Sequence, residues 1–346
     1  GQVILFAMIS VEKAQTLIYE RTLEFPVEEI EVQKSSGHIL RQDVKSERDQ
    51  PPFDRVCMDG IALNFAEWKS GRKSFAVFGM QKAGEAKKTL SDPSQCFEVA
   101  TGAITPEGND CVIRYEDIQI EKGVAHLNQG IEIKQGQNIH ARGCDYQQGD
   151  PLLTEGLRIH GPHVGVFASN GLKNVRVAGF PKVAIISTGD ELVEIDEKPK
   201  EHQIHKSNPY ALEAELHSFG FQQTTLFHLP DDREEMRNKI EEILQNFSIL
   251  ILSGGVSMGK FDFLPQVFKE LGVEEVFHKV SLKPGKPFWF GSAPKKQLVF
   301  SLPGNPVACL VGVRRFVIPA LLQGMGAKKE ICPHNQLSAS LTQEGQ

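Results

Sequence analysis

The sequence predicts a chain of mixed class, α/β plus β. It has a three-layer α/β/α domain, a β-rich domain and a small α+β linker domain split between two stretches. Three observations carry this. From Pro181 onward, apolar strands alternate with amphipathic helices. From about 28 to 148, short β-branched runs are separated by Gly, Asn and Pro. The length, 346 residues, suits two to three domains at about 150 residues each.

Taken in chain order, residues 8–23 read as one helix. Ser10 is a good N-cap, and Val11, Ala14, Leu17 and Ile18 repeat at helical spacing. Strands are expected at 97–100, 111–115, 118–120 and 131–133. Another is expected near Leu152, followed by a short helix at 163–169 and a strand at 174–177. In the α/β part, 183–187 and 249–252 are fully apolar, as central parallel strands should be. Asn208 and Pro209 form an N-cap and first-turn pair for a helix at 210–219. Asp231 with Glu234 reads as a capping box for a helix running to about Gln245. A helix at 263–271 is followed by strands near 276–282, 288–290 and 298–301. Asn305 and Pro306 then open a long apolar helix ending near Leu322. Ligands of such a domain belong at the carboxyl ends of its strands. The stretch 326–346 reads as a charged linker and the first strand of a domain that is not completed.

The composition narrows the function classes. The formal net charge is −6, which leaves no global basic field for nucleic acid or an acidic membrane. Hydrophobic content of 40% and charged content of 24% are those of a globular protein. The apolar run 3–9 is far short of the roughly 18 residues a bilayer demands, and it lacks the flanks of a signal peptide. A cytoplasmic protein is therefore expected. The six cysteines are spaced too widely for a zinc knuckle or a CxxC pair and are expected to be reduced thiols. His160 with His163, and His202 with His205, are incomplete as zinc sites and read as solvated loop histidines.

Several motifs can carry chemistry. Ser253-Gly254-Gly255-Val256-Ser257-Met258-Gly259-Lys260-Phe261-Asp262 follows an apolar strand and precedes a helix. Its glycines and hydroxyls suit a phosphate or another oxyanion, and Asp262 suits a cation or a ligand hydroxyl. Lys283-Pro284-Gly285-Lys286-Pro287, with Lys279 before it, stiffens a turn that bears ammonium groups fit for an oxyanion. Leu302-Pro303-Gly304-Asn305-Pro306 ends a strand and aims a helix amino terminus at the same sheet edge. Asp190, Glu191 and Asp231 stand at predicted strand ends, where carboxylates beside phosphate loops suit magnesium. In the β-rich part, turns centre on Asp59, on Thr101 and on Arg142-Gly143-Cys144-Asp145. Each motif also reads as an ordinary turn or cap when taken alone.

In this order, the motifs resemble those of the molybdopterin molybdenumtransferases, the MoeA proteins of bacteria and the E domain of gephyrin. The resemblance covers residues from about Ile9 to Leu322. It rests on Pro-x-Phe-Asp before Met-Asp-Gly at 58–60, Thr-Gly-Ala at 101–103, Arg-Gly-x-Asp at 142–145 and Ser-Thr-Gly-Asp-Glu-Leu at 187–192. It continues in Ser-Gly-Gly-Val-Ser-x-Gly at 253–259, Lys-Pro-Gly-Lys-Pro at 283–287 and Pro-Gly-Asn-Pro at 303–306. It implies a linker domain at 8–27 and 149–180, a β-rich domain at 28–148 and a molybdopterin-binding α/β domain at 181–325. Residues 326–346 would begin a C-terminal β-barrel domain that is otherwise missing.

The implied reaction inserts molybdate into adenylylated molybdopterin and releases AMP, with magnesium required. It implies an elongated homodimer sharing its active sites between subunits, and transient partners in a molybdopterin adenylyltransferase and acceptor molybdoenzymes. Ser253, Gly254, Gly255, Val256, Ser257, Gly259 and Asp262 would bind the pterin nucleotide. Pro303, Gly304, Asn305 and Pro306 would help bind the cofactor, with Pro303 and Pro306 shaping the molybdate pocket, while Lys279, Lys283 and Lys286 neutralise phosphate and molybdate. Asp190, Glu191 and Asp231 would place magnesium or organise the phosphates, and Asp59, Thr101 and Asp145 would act from the partner subunit.

Three residues depart from the family pattern: His140 for an Arg, Ile61 for an aromatic and Lys206 for an Asp. Two other readings stay open. One is an adenylyltransferase or nucleotide hydrolase on the same α/β domain, and the other is a non-catalytic cofactor-binding scaffold.

Overall fold

The computed structural model describes residues 8–254 and 263–328. The chain divides into two compact units, one spanning 44–153 and the other comprising 1–43 with 154–346.

The larger unit is organised by a six-stranded sheet. In spatial order its strands are Thr224–Leu229, Val183–Thr188, Ile249–Ser253, Leu298–Leu302, Trp289–Ser292 and Glu274–His278. The first four run parallel, and the last two pair antiparallel. The sheet is thus mixed, with the fully apolar strands Val183–Thr188 and Ile249–Ser253 buried at its centre. Two successive antiparallel pairings restore direction. The strand Glu274–His278 therefore runs with the parallel set, and Lys279 emerges at the same carboxyl edge.

Alternation of side chains divides the core. Ile185, Ile251 and Phe300 face one layer with Leu212, Leu216 and Phe316. Ala184, Ile186, Leu250 and Val299 face the other with Met236, Ile240 and Phe268. Helices Asn208–Ser218 and Pro306–Gly312 thus cover one face, and Arg233–Asn246 and Leu264–Glu270 the other. The helix Val11–Arg21 is capped by Ser10, whose hydroxyl accepts from the Lys13 amide at 3.2 Å. It adds Ala14 and Ile18 to the first layer.

The smaller unit holds a second six-stranded sheet, ordered Cys111–Arg114, Gly60–Leu63, Gln95–Val99, Ser74–Gln81, Val124–Leu127 and Ile118–Glu121. This unit begins at Val44, because the strand Val27–Glu31 pairs with Asn174–Ala178 in the larger unit.

Four local expectations are corrected. Residues 131–133 join no ladder, although Ile133 is buried. The cap of helix Arg233–Asn246 is Asp232, which accepts from the Glu235 amide at 2.8 Å, and not Asp231. The run Asp-Asp-Arg-Glu-Glu offers the same capping pattern in two registers. Asn208 does not cap its helix; Ser207 precedes it. The long apolar helix is broken by a π turn, Val313–Val317, just ahead of Pro319, whose missing N–H and bulky ring disfavour an unbroken α ladder there. By length and composition Pro306–Gly324 could cross a membrane, yet 67% of it is buried inside the unit, which is how a core helix behaves.

Candidate active site

In the larger unit, the strands Val183–Thr188, Ile249–Ser253 and Leu298–Leu302 end side by side. Each is followed by a glycine at or close to the edge: Gly189, Gly254 and Gly304. The Gly254 amide donates to the Leu302 carbonyl at 3.1 Å. A Cβ placed on Gly304 would have Gly254 Cα as its nearest neighbour, at 4.0 Å. The bare backbones of the two loops therefore approach each other closely, with room for no more than a methyl group between them. Asn305 accepts from the Ala308 amide at 3.1 Å, and this cap opens the helix at Pro306 toward the gap.

The edge encloses a cavity of about 160 Å³. Of the residues singled out from sequence, Glu191, Ser253, Gly254, Gly304 and Pro306 line it. Thr188, Lys206, Ser207 and Asn208 line it too, and were not assigned to a site. Larger clefts of about 330 and 480 Å³ lie at the opposite end of the sheet, beside the residues that precede Leu298, and collect none of the motifs. Gly255, Val256, Ser257, Gly259 and Asp262 lie outside the described residues.

Asn208 organises the cavity wall. Its side-chain amide donates to Ser253 Oγ at 3.0 Å and to the Gly304 carbonyl at 2.9 Å. Its Oδ1 is buried with no hydrogen-bond partner among the described residues. Lys206 is buried beside it and pairs with Glu194, which also accepts from the Tyr210 hydroxyl at 3.1 Å. The Lys206 hydrogen bond is the main reason the Glu194 carboxyl is held below its usual range.

Glu191 folds back over Gly189. Gly189 takes φ +126°, a conformation that favours glycine, and a Cβ there would lie 2.3 Å from a Glu191 carboxylate oxygen and push that side chain aside. Asp190 accepts from the Asp231 amide at 3.2 Å. The Lys-Pro-Gly-Lys-Pro turn reaches the same edge. A Cβ on Gly285 would lie 3.9 Å from the Ala308 carbonyl, in the first turn of the helix that Asn305 caps. Lys283 and Lys286 are exposed on this turn, and Lys279, directly after the strand that ends at His278, has a positive φ of 89°. Pro303 precedes the Gly304 gap.

A second cluster occupies the smaller unit. The strand Gly60–Leu63 pairs so closely with Cys111–Arg114 that a Cβ on Gly60 would lie 1.9 Å from the Ile113 carbonyl oxygen. The glycine lets Asp59 sit immediately outside the ladder. There Asp59 accepts from the Thr101 amide at 2.7 Å and from its hydroxyl at 2.8 Å. The amide and then the hydroxyl hold the Asp59 carboxyl below its usual range. The two-residue strand Arg55–Val56 ties the Thr101 loop to Asp145. Val56 exchanges backbone bonds with Ala103 and Gly102 at 2.9 Å each, and Arg55–Val56 pairs with Ile139–His140. Asp145 receives a hydrogen bond from His140 Nε2 at 2.9 Å.

The thiols supply no free nucleophile in the core. Burial pushes Cys96, Cys111 and Cys309 up to about 12. His163 bonds the His160 amide and His205 the Glu197 carbonyl, as structural histidines do.

Magnesium can be tested against this donor set. Among the described residues, Asp190, Glu191 and Asp231 do not form a three-ligand cluster. Asp190 and Glu191 are hard oxygen donors beside an anion-receiving edge, and magnesium commonly takes one or two carboxylates plus substrate phosphates. Asp190 and Glu191 are therefore of the right donor type, and the bond from Asp231 to Asp190 is made by its backbone amide and leaves the Asp231 carboxylate unengaged by that contact.

A parallel-sheet edge built from glycine turns and a helix amino terminus, with lysines nearby, is the kind of place where open α/β sheets receive anionic ligands. Residues 9–171 match the MoeA N-terminal region (domain I and II), and residues 184–323 match the probable molybdopterin binding domain. The molybdopterin molybdenumtransferase of Synechocystis sp. is 39% identical over 312 residues, 90% of this chain and 80% of that protein. The enzyme of the same name from Staphylococcus epidermidis is 33% identical over 92% of this chain and 77% of its own length. Two crystal structures of the molybdopterin biosynthesis MoeA protein from Pyrococcus horikoshii match with TM-scores of 0.80 and 0.78, at 29% and 27% identity. Each match covers 93% of this chain. The class is thus that of the molybdenum cofactor biosynthesis proteins. Within it, the chain belongs to the MoeA family of molybdopterin molybdenumtransferases.

Proposed function

We propose that the chain transfers molybdenum from molybdate into adenylylated molybdopterin with release of AMP. The convergence of Gly254, Gly304 and the Asn305-capped helix around the 160 Å³ cavity is the observation that carries this reading. Backbone amides and the helix terminus receive the phosphates or the oxyanion, and Asn208 holds the two loops at fixed separation while offering Oδ1 to the ligand. Lys279, Lys283 and Lys286 neutralise charge on phosphate and molybdate. Asp190 and Glu191 would hold magnesium, which when bound neutralises charge on the phosphate oxygens. Asp59, fixed by Thr101, and Asp145 align the adenylate and the incoming oxyanion, acting from the second copy of a homodimer. Most of this work is positional and electrostatic, as phosphoryl-type transfer requires.

The test is release of AMP from adenylylated molybdopterin in the presence of molybdate and magnesium. Binding of the substrate without AMP release, by folded protein, would overturn the reading.

A further inference from the structure

We propose that His140, Cys144 and Asp145 form a binding site for a thiophilic divalent transition-metal ion, with zinc the best match. A nitrogen, a sulfur and an oxygen ligand atom from these residues all lie within 4.8 Å of one another. Nε2 of His140 is 2.9 Å from Asp145 Oδ1, and Cys144 Sγ is 3.9 Å from the same oxygen. Tetrahedral zinc with these ligand types separates its ligand atoms by about 3.3 to 3.7 Å. Shifts of about an ångström therefore bring all three onto one ion.

The ligand set points to the metal class. A thiolate with an imidazole selects zinc, cobalt or copper, and rejects magnesium and calcium, which take oxygen ligands. On binding, the thiol proton leaves to solvent. Thiolate and carboxylate then balance the charge of a divalent ion. Cys144 and Asp145 are exposed, so a fourth coordination position stays open to water or ligand.

The backbone holds the three residues in place before any ion arrives. His140 is in register with Arg55 in a strand pair. The turn from Ala141 is closed by the Cys144 amide at 3.2 Å, and the Asp145 amide is bonded to the Gln50 carbonyl at 2.9 Å. The nearby Arg142 guanidinium is engaged by Asp49 at 2.7 Å. His140 and Cys144 have no part in the transferase reading above, and Asp145, which that reading also uses, is placed here by its distances to them alone.

Cobalt(II) titration of chelator-treated full-length protein, under anaerobic conditions and without substrate, tests the site. One equivalent should produce a near-ultraviolet thiolate-to-cobalt charge-transfer band and tetrahedral visible bands, and zinc should bleach both. Cys144→Ser should abolish the near-ultraviolet band and weaken zinc binding at least tenfold. His140→Arg should weaken it similarly, whereas Cys57→Ser should change neither. Thermal melts of these variants without metal should match the parent, none of the three positions being in the core. A spectrum that stays that of hydrated cobalt, or a band that survives Cys144→Ser, would overturn the proposal. Because no turnover is read, failure here is separable from failure of the transferase reading.

Discussion

Asn208 bridges Ser253 and Gly304, two positions at the ends of neighbouring strands, with one side-chain amide. The bond to Ser253 joins residues 45 apart in sequence. Asn208→Ala should therefore loosen both loops, lowering stability by about 1–3 kcal/mol in urea titrations because two partners lose a hydrogen bond. Asn208→Asp should be worse, since a carboxylate would face the Gly304 carbonyl. AMP release should fall in the same order. Equal behaviour of the two variants would show that the bridge does not organise the edge.

Gly304 and Gly189 separate ligand space from fold requirement. Gly304 has no positive φ and, among the described residues, no atom closer than 4.0 Å to an added Cβ, so Gly304→Ala should melt as the parent does. If the edge holds substrate, that methyl should raise KM several-fold. Gly189→Ala meets the Glu191 carboxylate and an unfavourable φ, so it should lower stability by about 1–3 kcal/mol and displace Glu191. Differential scanning calorimetry beside initial-rate kinetics distinguishes the two effects.

The Asp59–Thr101 pair predicts a shift in pH behaviour. The Thr101 amide and hydroxyl both lower the Asp59 pKa. A carboxyl held below its unfolded value favours folding at neutral pH, and that advantage is lost as pH falls through the folded value. Thr101→Val keeps the amide and deletes the hydroxyl. NMR titration should show the Asp59 pKa moving up toward, without reaching, the ordinary carboxylate value. The acid limb of the rate profile should move the same way.

Much of the fold is legible because its signals are local. The all-apolar runs Val183–Thr188 and Ile249–Ser253 mark a central parallel sheet, and Asn305-Pro306 marks a helix start. The glycine turns follow from the strands they end. Asn208 shows where local reading stops: it looks like a cap, and only tertiary packing brings Ser253 to it. Asp231 and Asp232 compete for one capping role with equivalent chemistry, so one-residue register is not encoded locally. The His140–Cys144–Asp145 cluster mixes three ligand types, and a search for paired cysteines or paired histidines passes over it.

The Lys206–Glu194 pair yields an asymmetric prediction. The Lys206 side chain is 8% exposed and that of Glu194 is 45% exposed. Glu194→Ala strands a buried ammonium and should cost about 3 kcal/mol, whereas Lys206→Met leaves a carboxylate that water can reach and should cost under about 1 kcal/mol. His228 supplies an independent readout. It lies 3.1 Å from Ser187 Oγ, and burial, then the Lys206 charge, holds its pKa below the ordinary value. A histidine whose folded pKa is depressed makes the fold lose stability as pH drops through the range between its unfolded and folded values, because the unfolded chain takes the proton more readily. Lys206→Met should raise the His228 pKa and reduce that acid loss. Chemical denaturation on either side of the ordinary histidine pKa, with NMR of the His228 ring, checks both signs. An unchanged His228 pKa would show that the Lys206 charge is not felt at the strand end.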